Sequence, residues 1–255
     1  MCCKPTPCYA WLLLSPGQGE CVSAGAFVLV DYDNLPQSVR AAGLATLVRR
    51  IESSVLGAAV NPTELHVRLY GGWYNVTGLT NAGTLLTQEI GATFPIMISD
   101  GTRITRRVTC EIATSLIDSK GDLFLFTMRE RRGMRSLLKA NVPPHCIDPA
   151  VCTILAVGSW SSGACPNSGC PVSAADSFTY SEQKLTDTLL CADVFALSRR
   201  SPAPPTFVLS NDDDMTPAIL LAAKAGAPIS HIRSSPSPKF YDGMLRQNNV
   251  QILVL

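Results

Sequence analysis

The chain has 255 residues, with 21 Lys and Arg against 20 Asp and Glu, a formal net charge of +1. Hydrophobic residues make up 46% and charged residues 16%, a balance that supports a sizeable core and excludes a disordered chain. The near-neutral charge excludes a global pull toward nucleic acid or anionic lipid, so any RNA contact has to come from local patches. No apolar run reaches the roughly 18–20 residues that a bilayer span needs, and no membrane partner is expected.

Residues 1–25 read as an N-terminal extension. The apolar stretch Tyr9 to Leu14 is short and lacks the strongly basic flank of a signal peptide. Ala26–Asp31 is a strand without alternation, as expected when both faces are covered in a parallel sheet. Pro36 stands at the first turn of a helix, and Leu44, Leu47, Val48, Ile51 and Val55 recur at helical spacing. Glu64–Tyr70 alternates as a strand and ends at Gly71-Gly72; Thr80–Ile90 reads as a helix. From about 95 to 178 the pattern is irregular. Short β segments (PIMIS, RRVTCEIA, DLFLFTM, CTILAV) lie between turn residues, which suggests an insertion or an elaboration on the core sheet, with room for antiparallel hairpins. Thr179 stands three residues before Glu182, a capping-box spacing that predicts a helix through EQKLTDTLLCADVFALS. SPAPP breaks it, and TFVL (206–209) is a second buried strand. MTPAILLAAKAG is a helix closed by Gly226, followed by a strand at Ala227–Arg233, a short helix at Phe240–Gln247 and a last strand at Val250–Leu255. This alternation predicts an α/β fold with a mostly parallel sheet flanked by helices. One domain would span 26–255, with its insertion at about 95–178.

Two of the buried strands end alike. FVLV runs into Asp31-Tyr32-Asp33-Asn34, and TFVL runs into Ser210-Asn211-Asp212-Asp213-Asp214. Sites in open α/β sheets form beyond the carboxyl ends of the strands. If these two strands are neighbours, at least three carboxylates meet in one crevice. Such a cluster needs a counter-charge, and hard oxygen donors select Mg²⁺ or Mn²⁺ over zinc. Asp187, on the predicted helix, is a further contributor, with Lys184 at i−3 on the same face. Asp193 lies six residues on, about 120° round the helix; it points elsewhere unless the helix end rotates it back, and is the lesser candidate. Singly, each residue has a plainer reading: Asn34 and Asp214 as helix caps, Lys184 and Asp187 as a surface pair. The ordered set favours a metal site.

These motifs, in this order, resemble the NYN domain family, a branch of the PIN-like nuclease superfamily. The family's first strand ends in Asp-x-x-Asn, matched by Asp31 to Asn34. Its helix carries Lys-x-x-Asp and a second Asp six residues on, matched by Lys184, Asp187 and Asp193. Its later strand ends in Ser-Gly-Asp-Ser-Asp-Phe, where this chain has Ser210 to Met215 and differs at Asn211, Asp213 and Met215. The likeness covers about 26–91 and 179–255. It implies a PIN-like fold and a metal-dependent endoribonuclease that hydrolyses RNA phosphodiester bonds. By the same likeness Asp31, Asp187, Asp212 and Asp214 hold Mg²⁺ or Mn²⁺, and Asn34 orients a water or a phosphate oxygen. Ser210 is a small hydroxyl beside the metal. Lys184 contacts a phosphate or balances the carboxylates.

The middle region adds two features. His145, Cys146, Cys152, Cys165 and Cys170 have loose ligand spacings; four thiolates, or three and the imidazole, would make a structural zinc site, and free thiols are the alternative. Ten Cys in a chain this long suit reduced thiols and a cytoplasmic setting. Basic clusters at Arg103, Arg106 and Arg107, and at Arg129, Arg131, Arg132 and Arg135, are candidate RNA contacts, with Arg131 and Arg132 foremost. The stretch from Tyr70 to Tyr74 either stacks bases or packs as an aromatic corner, the latter favoured. Two alternatives to a nuclease remain. One is a catalytically silent RNA-binding or assembly module of the same fold. The other is a haloacid-dehalogenase-like phosphatase, for which Asp31-Tyr32-Asp33 fits but Asn34-Leu35 replaces the usual Gly-Thr. With only His66, His145 and His231, and no Gly-x-Ser-x-Gly elbow, a Ser/His/Asp hydrolase is poorly supported.

Overall fold

A computed structural model describes residues 25–56, 62–99, 105–119, 125–132 and 179–255. Seven strands form the central sheet: β1 (Ala26–Asp31), β2 (Glu64–Tyr70), β5 (Ile96–Ser99), β6 (Thr105–Ile112), β9 (Thr206–Leu209), β10 (Ile229–Arg233) and β11 (Gln251–Val254). Two short strands, β3 (Tyr74–Asn75) and β4 (Gly78–Leu79), pair outside it. The order across the main sheet is β11-β10-β9-β1-β2-β6-β5. All neighbours are parallel except β5, which runs antiparallel to β6. Chain order therefore reverses between β1 and β9, the topological switch point of a doubly wound sheet.

The central strands β1 and β9 lack alternation because both of their faces are covered. Val28, Val30, Leu65, Val67, Leu69 and Phe207 pack on one side. Their partners include Leu44, Leu47, Val48 and Ile51 of α2 (Leu44–Leu56). That side also holds α1 (Gln37–Ala41) and α3 (Asn81–Thr93), whose first turn is capped by the Thr80 hydroxyl accepting from Gly83 N. On the other side Leu29 and Val208 meet Leu189, Leu190 and Val194 of α4 (Thr186–Ser198). Ile219 of α5 (Thr216–Lys224) and Leu245 of α6 (Asp242–Gln247) complete that core. None of the helices among the described residues is long and apolar enough to cross a membrane.

After residue 95 the core sheet is extended by an antiparallel pair: β6 pairs with β2 from Glu64↔Arg107 to Leu69↔Ile112, and β5 runs antiparallel along its far side. The alternation of β6 also decides the fate of a predicted RNA contact. Arg106 shares the face of Val108, is 1% exposed and donates to Glu52 of α2 at 3.0 Å. Arg107, on the opposite face, lies 3.7 Å from Glu64.

The predicted helix start at Glu182 is also corrected. Thr179–Gln183 is strand β8, antiparallel to β7 (Met128–Arg132). The capping-box pattern is local, and ladder pairing with β7 outweighs it. Leu185 then takes a left-handed conformation (φ 64°) and α4 begins at Thr186. Lys184 thus precedes the helix, and no helical face joins it to Asp187. The β7–β8 ladder is fastened to the carboxyl end of β2. The buried Thr127 hydroxyl accepts from Trp73 N at 2.9 Å and Tyr74 N at 3.2 Å, and Lys184 N donates to Thr127 O at 2.9 Å.

Candidate functional site

Period-two geometry brings the site together. On β1, Leu29 packs toward α4, so Asp31 faces the same side. On β9, Val208 does likewise, so Ser210 follows it. The register Val30↔Leu209 sets Asp31 beside Ser210 at the switch point. The Ser210 hydroxyl donates to Asp31 Oδ2 at 2.7 Å, and Asn34 Nδ2 donates to the same oxygen at 2.8 Å. Asp31 is 1% exposed, and its Oδ1 is buried with no hydrogen-bond partner. Burial pushes the Asp31 carboxyl above the ordinary range. The Ser210 and Asn34 bonds oppose this, while the charges of Asp212 and Asp33 add to it.

The second wall is the turn after β9. Ser210 Oγ accepts from Asp212 N at 2.9 Å, and Asp212 Oδ1 accepts from Asp214 N at 3.0 Å, capping a single 3-10 turn at Asp213–Met215. The cap in this turn is therefore Asp212, and Asp214 lies within it. Asn34 caps no helix either: α1 has no side-chain cap, and the Asn34 amide serves Asp31. Asp187, in the first turn of α4, is the third wall. Its carboxyl is raised by burial and then by the charges of Asp31, Asp212 and Asp214, so the four aspartates share one electrostatic neighbourhood. Cys191, one turn along α4, has its thiol raised by burial, Asp187 and Asp214.

Several candidates have other roles. Ser210 is wholly buried and its hydroxyl is engaged with Asp31, so it positions that carboxylate. Asp33 accepts from Gly72 N at 2.9 Å and so ties the β1 turn to the β2 turn. Lys184 and Arg131 both bind Glu182, at 2.8 and 3.0 Å, within the β7–β8 ladder. They hold Glu182 below the ordinary carboxylate range, with the Lys184 bond the largest cause. Asp193 points into the sheet, as its helical offset predicts. Tyr70 and Trp73 are buried, as an aromatic corner, and Tyr74 stacks on Phe126 at 6.1 Å between ring centroids. The side chain of Arg132 lies outside the described residues. So do Arg103, Arg135, His145 and the cysteines at 146, 152, 165 and 170, with any zinc site they form.

Sequence reasoning missed the supports of the β9 turn. His231 of β10 is buried beneath it, with Nε2 3.0 Å from Ser210 O. Burial pushes the imidazole down to about 4, so it is neutral near pH 7 and Nε2–H donates. Asn211 exchanges two bonds with Ser234, Nδ2 to Oγ at 2.6 Å and Ser234 N to Oδ1 at 3.1 Å. Only the alternation of Ile229, His231 and Arg233 along β10 hints that His231 faces the site side.

Compared with family models, curated proteins and solved structures, the chain finds no match.

An unpartnered, buried carboxylate oxygen beside three further carboxylates suits a hard divalent cation. Among the described residues no three His, Cys, Asp or Glu groups stand close enough to share one ion directly. Ligation beyond Asp31 thus calls for bridging water or rotation of the exposed Asp187 and Asp214 side chains. A cavity of about 380 Å³ lies at the opposite, amino ends of β9 and β10, lined by Pro205, Phe207, Pro228 and Asn248 among others, with no titratable side chain. It is remote from the carboxylates and lacks the groups for acid–base or metal chemistry.

Proposed function

We propose that the chain is a metal-dependent endoribonuclease whose centre is the β1–β9 crevice. The observation that carries this reading is the Asp31 carboxylate, buried at the switch point with Oδ2 held by Ser210 and Asn34 and Oδ1 without a partner. Asp31, Asp187, Asp212 and Asp214 would hold Mg²⁺ or Mn²⁺, which when bound withdraws charge from the scissile phosphate and acidifies water. The protein's part is orientation. Ser210 and Asn34 fix the Asp31 carboxylate plane, and His231 and Asn211 fix the β9 turn that presents Asp212. Asn34, exposed at the crevice, would steer a water or a phosphate oxygen with the part of its amide that Asp31 does not use. RNA as substrate rests on the motif resemblance described above.

The test is incubation of labelled single-stranded and structured RNA with the protein in Mg²⁺, Mn²⁺ or EDTA. Metal-dependent cleavage, abolished by Asp31→Asn and by Asp212→Asn, is expected. Binding of RNA without cleavage in any metal would contradict it and indicate a silent binding module. Phosphate release from small phosphomonoesters would instead indicate a phosphatase. Against the latter, Asp33, the second acid such an enzyme needs, is engaged by Gly72 N.

A further inference from the structure

The loop Ser234–Tyr241, between β10 and α6, borders the crevice and is held at several points. Arg233 Nη1 donates to Asp242 Oδ2 at 3.0 Å beneath it, and Lys239 N donates to the same carboxylate oxygen at 3.2 Å. Asn211, next to Asp212, clamps Ser234 from both sides, and Lys239 Nζ donates to Asn211 O at 3.0 Å. On this fastened loop Phe240 is 89% exposed, the most exposed of the large apolar side chains among the described residues. It is braced edge to face by Tyr241, 5.0 Å away at 89°.

The Phe240 ring, held out on a fastened loop with the Tyr241 ring at its edge, is free to stack on a planar partner. Its neighbour Lys239 uses one of three ammonium protons on Asn211 O and remains exposed, with two protons to offer. A flat ring with a cation one residue away, beside the candidate hydrolytic centre, matches a nucleotide: a base for the ring and a phosphate for the ammonium. Inside a duplex both faces of each base are already stacked, so only a single strand offers free faces along its length. We infer that Ser234–Tyr241 is a platform for single-stranded RNA, with Phe240 stacking a base and Lys239 contacting the adjacent phosphate. This rests on the ribonuclease reading above and names the substrate form that the crevice receives.

The test is fluorescence anisotropy with a short fluorescein-labelled single-stranded RNA in EDTA, where cleavage plays no part. Phe240→Ala is expected to weaken binding about tenfold and Phe240→Tyr to restore it. Lys239→Ala is expected to flatten the salt dependence by about one phosphate contact. A fully paired duplex should be insensitive to Phe240→Ala. Wild-type affinity of Phe240→Ala for the single strand, or no binding by the wild type, would overturn the inference. Phe240-dependent binding without cleavage in any metal would sink only the ribonuclease reading. Normal cleavage with Phe240-independent binding would sink only the platform.

Discussion

Two aspartates in this fold are equally buried and differently furnished. Asp193 of α4 is 0% exposed, yet every side of its carboxylate is occupied. Oδ2 accepts from Tyr70 OH at 2.6 Å and Arg68 Nε at 3.1 Å, and Oδ1 accepts from Ile117 N at 2.9 Å. Arg68 in turn binds Glu111 and the Ser115 carbonyl. Asp31 is 1% exposed, has no cation beside it among the described residues, and leaves one oxygen unpartnered. Burial alone therefore does not mark a site, because a carboxylate closed by a guanidinium and two further donors is a strut. An incompletely satisfied carboxylate among other carboxylates carries an energetic debt that a ligand can discharge.

The comparison predicts opposite consequences for the two residues. Asp193→Ala takes the acceptor from three groups at once, Arg68 Nε, Tyr70 OH and Ile117 N, and should cost about 3–5 kcal/mol of stability. Urea unfolding would measure this, and a loss well under 1 kcal/mol would remove the distinction. The neutral histidine under the site gives the next largest effect. His231 has an ordinary value of 6.5 and is pushed down to about 4. Between these values the unfolded chain binds the proton that the folded chain refuses. Stability is therefore complete above about pH 6.5 and falls by about 3 kcal/mol as pH drops toward 4. His231→Gln should flatten that part of the curve of stability against pH, and coincident curves would contradict the assignment.

Asp31→Asn should reduce RNA cleavage about a hundredfold or more. In EDTA the same variant should hold or gain stability, by about 1 kcal/mol, because it removes an ill-solvated charge. A thermal melt that drops sharply would make Asp31 a strut like Asp193. At sub-saturating metal the cleavage rate should also fall on the acid side with a midpoint above the ordinary carboxylate value. The raised carboxyls of Asp31 and Asp187 must lose protons before they bind a cation, and the midpoint belongs to the coupled set. A pH–rate profile flat down to pH 4 would contradict this. Asn34→Ala, which removes one of two donors to Oδ2, should have the smallest effect, roughly tenfold on cleavage.

Much of this architecture is legible in the residues. The unbroken apolar runs of β1 and β9 mark strands covered on both faces, and their polar endings mark the crevice. Helical spacing gives α2, and the six-residue offset already turns Asp193 away from Asp187. What escaped was non-local. Thr179–Gln183 has a helix-start pattern, but its partner is Met128–Arg132, far back in the chain, and pairing overrides the local signal. Arg106 belongs to a run of charges that looks like surface. The alternation Arg106, Val108, Cys110 was the available clue that it faces inward. Asn211, Ser234 and Lys239 meet only once β9 and β10 are paired, and nothing in their sequence spacing announces it.

The most direct measurement is calorimetric titration of Mn²⁺ into metal-free protein, wild type alongside Asp31→Asn and Asp33→Asn. The account predicts saturable binding by the wild type, loss in Asp31→Asn, and retention in Asp33→Asn, since Asp33 serves the Gly72 amide. Equal binding by wild type and Asp31→Asn, or none by the wild type, would contradict it.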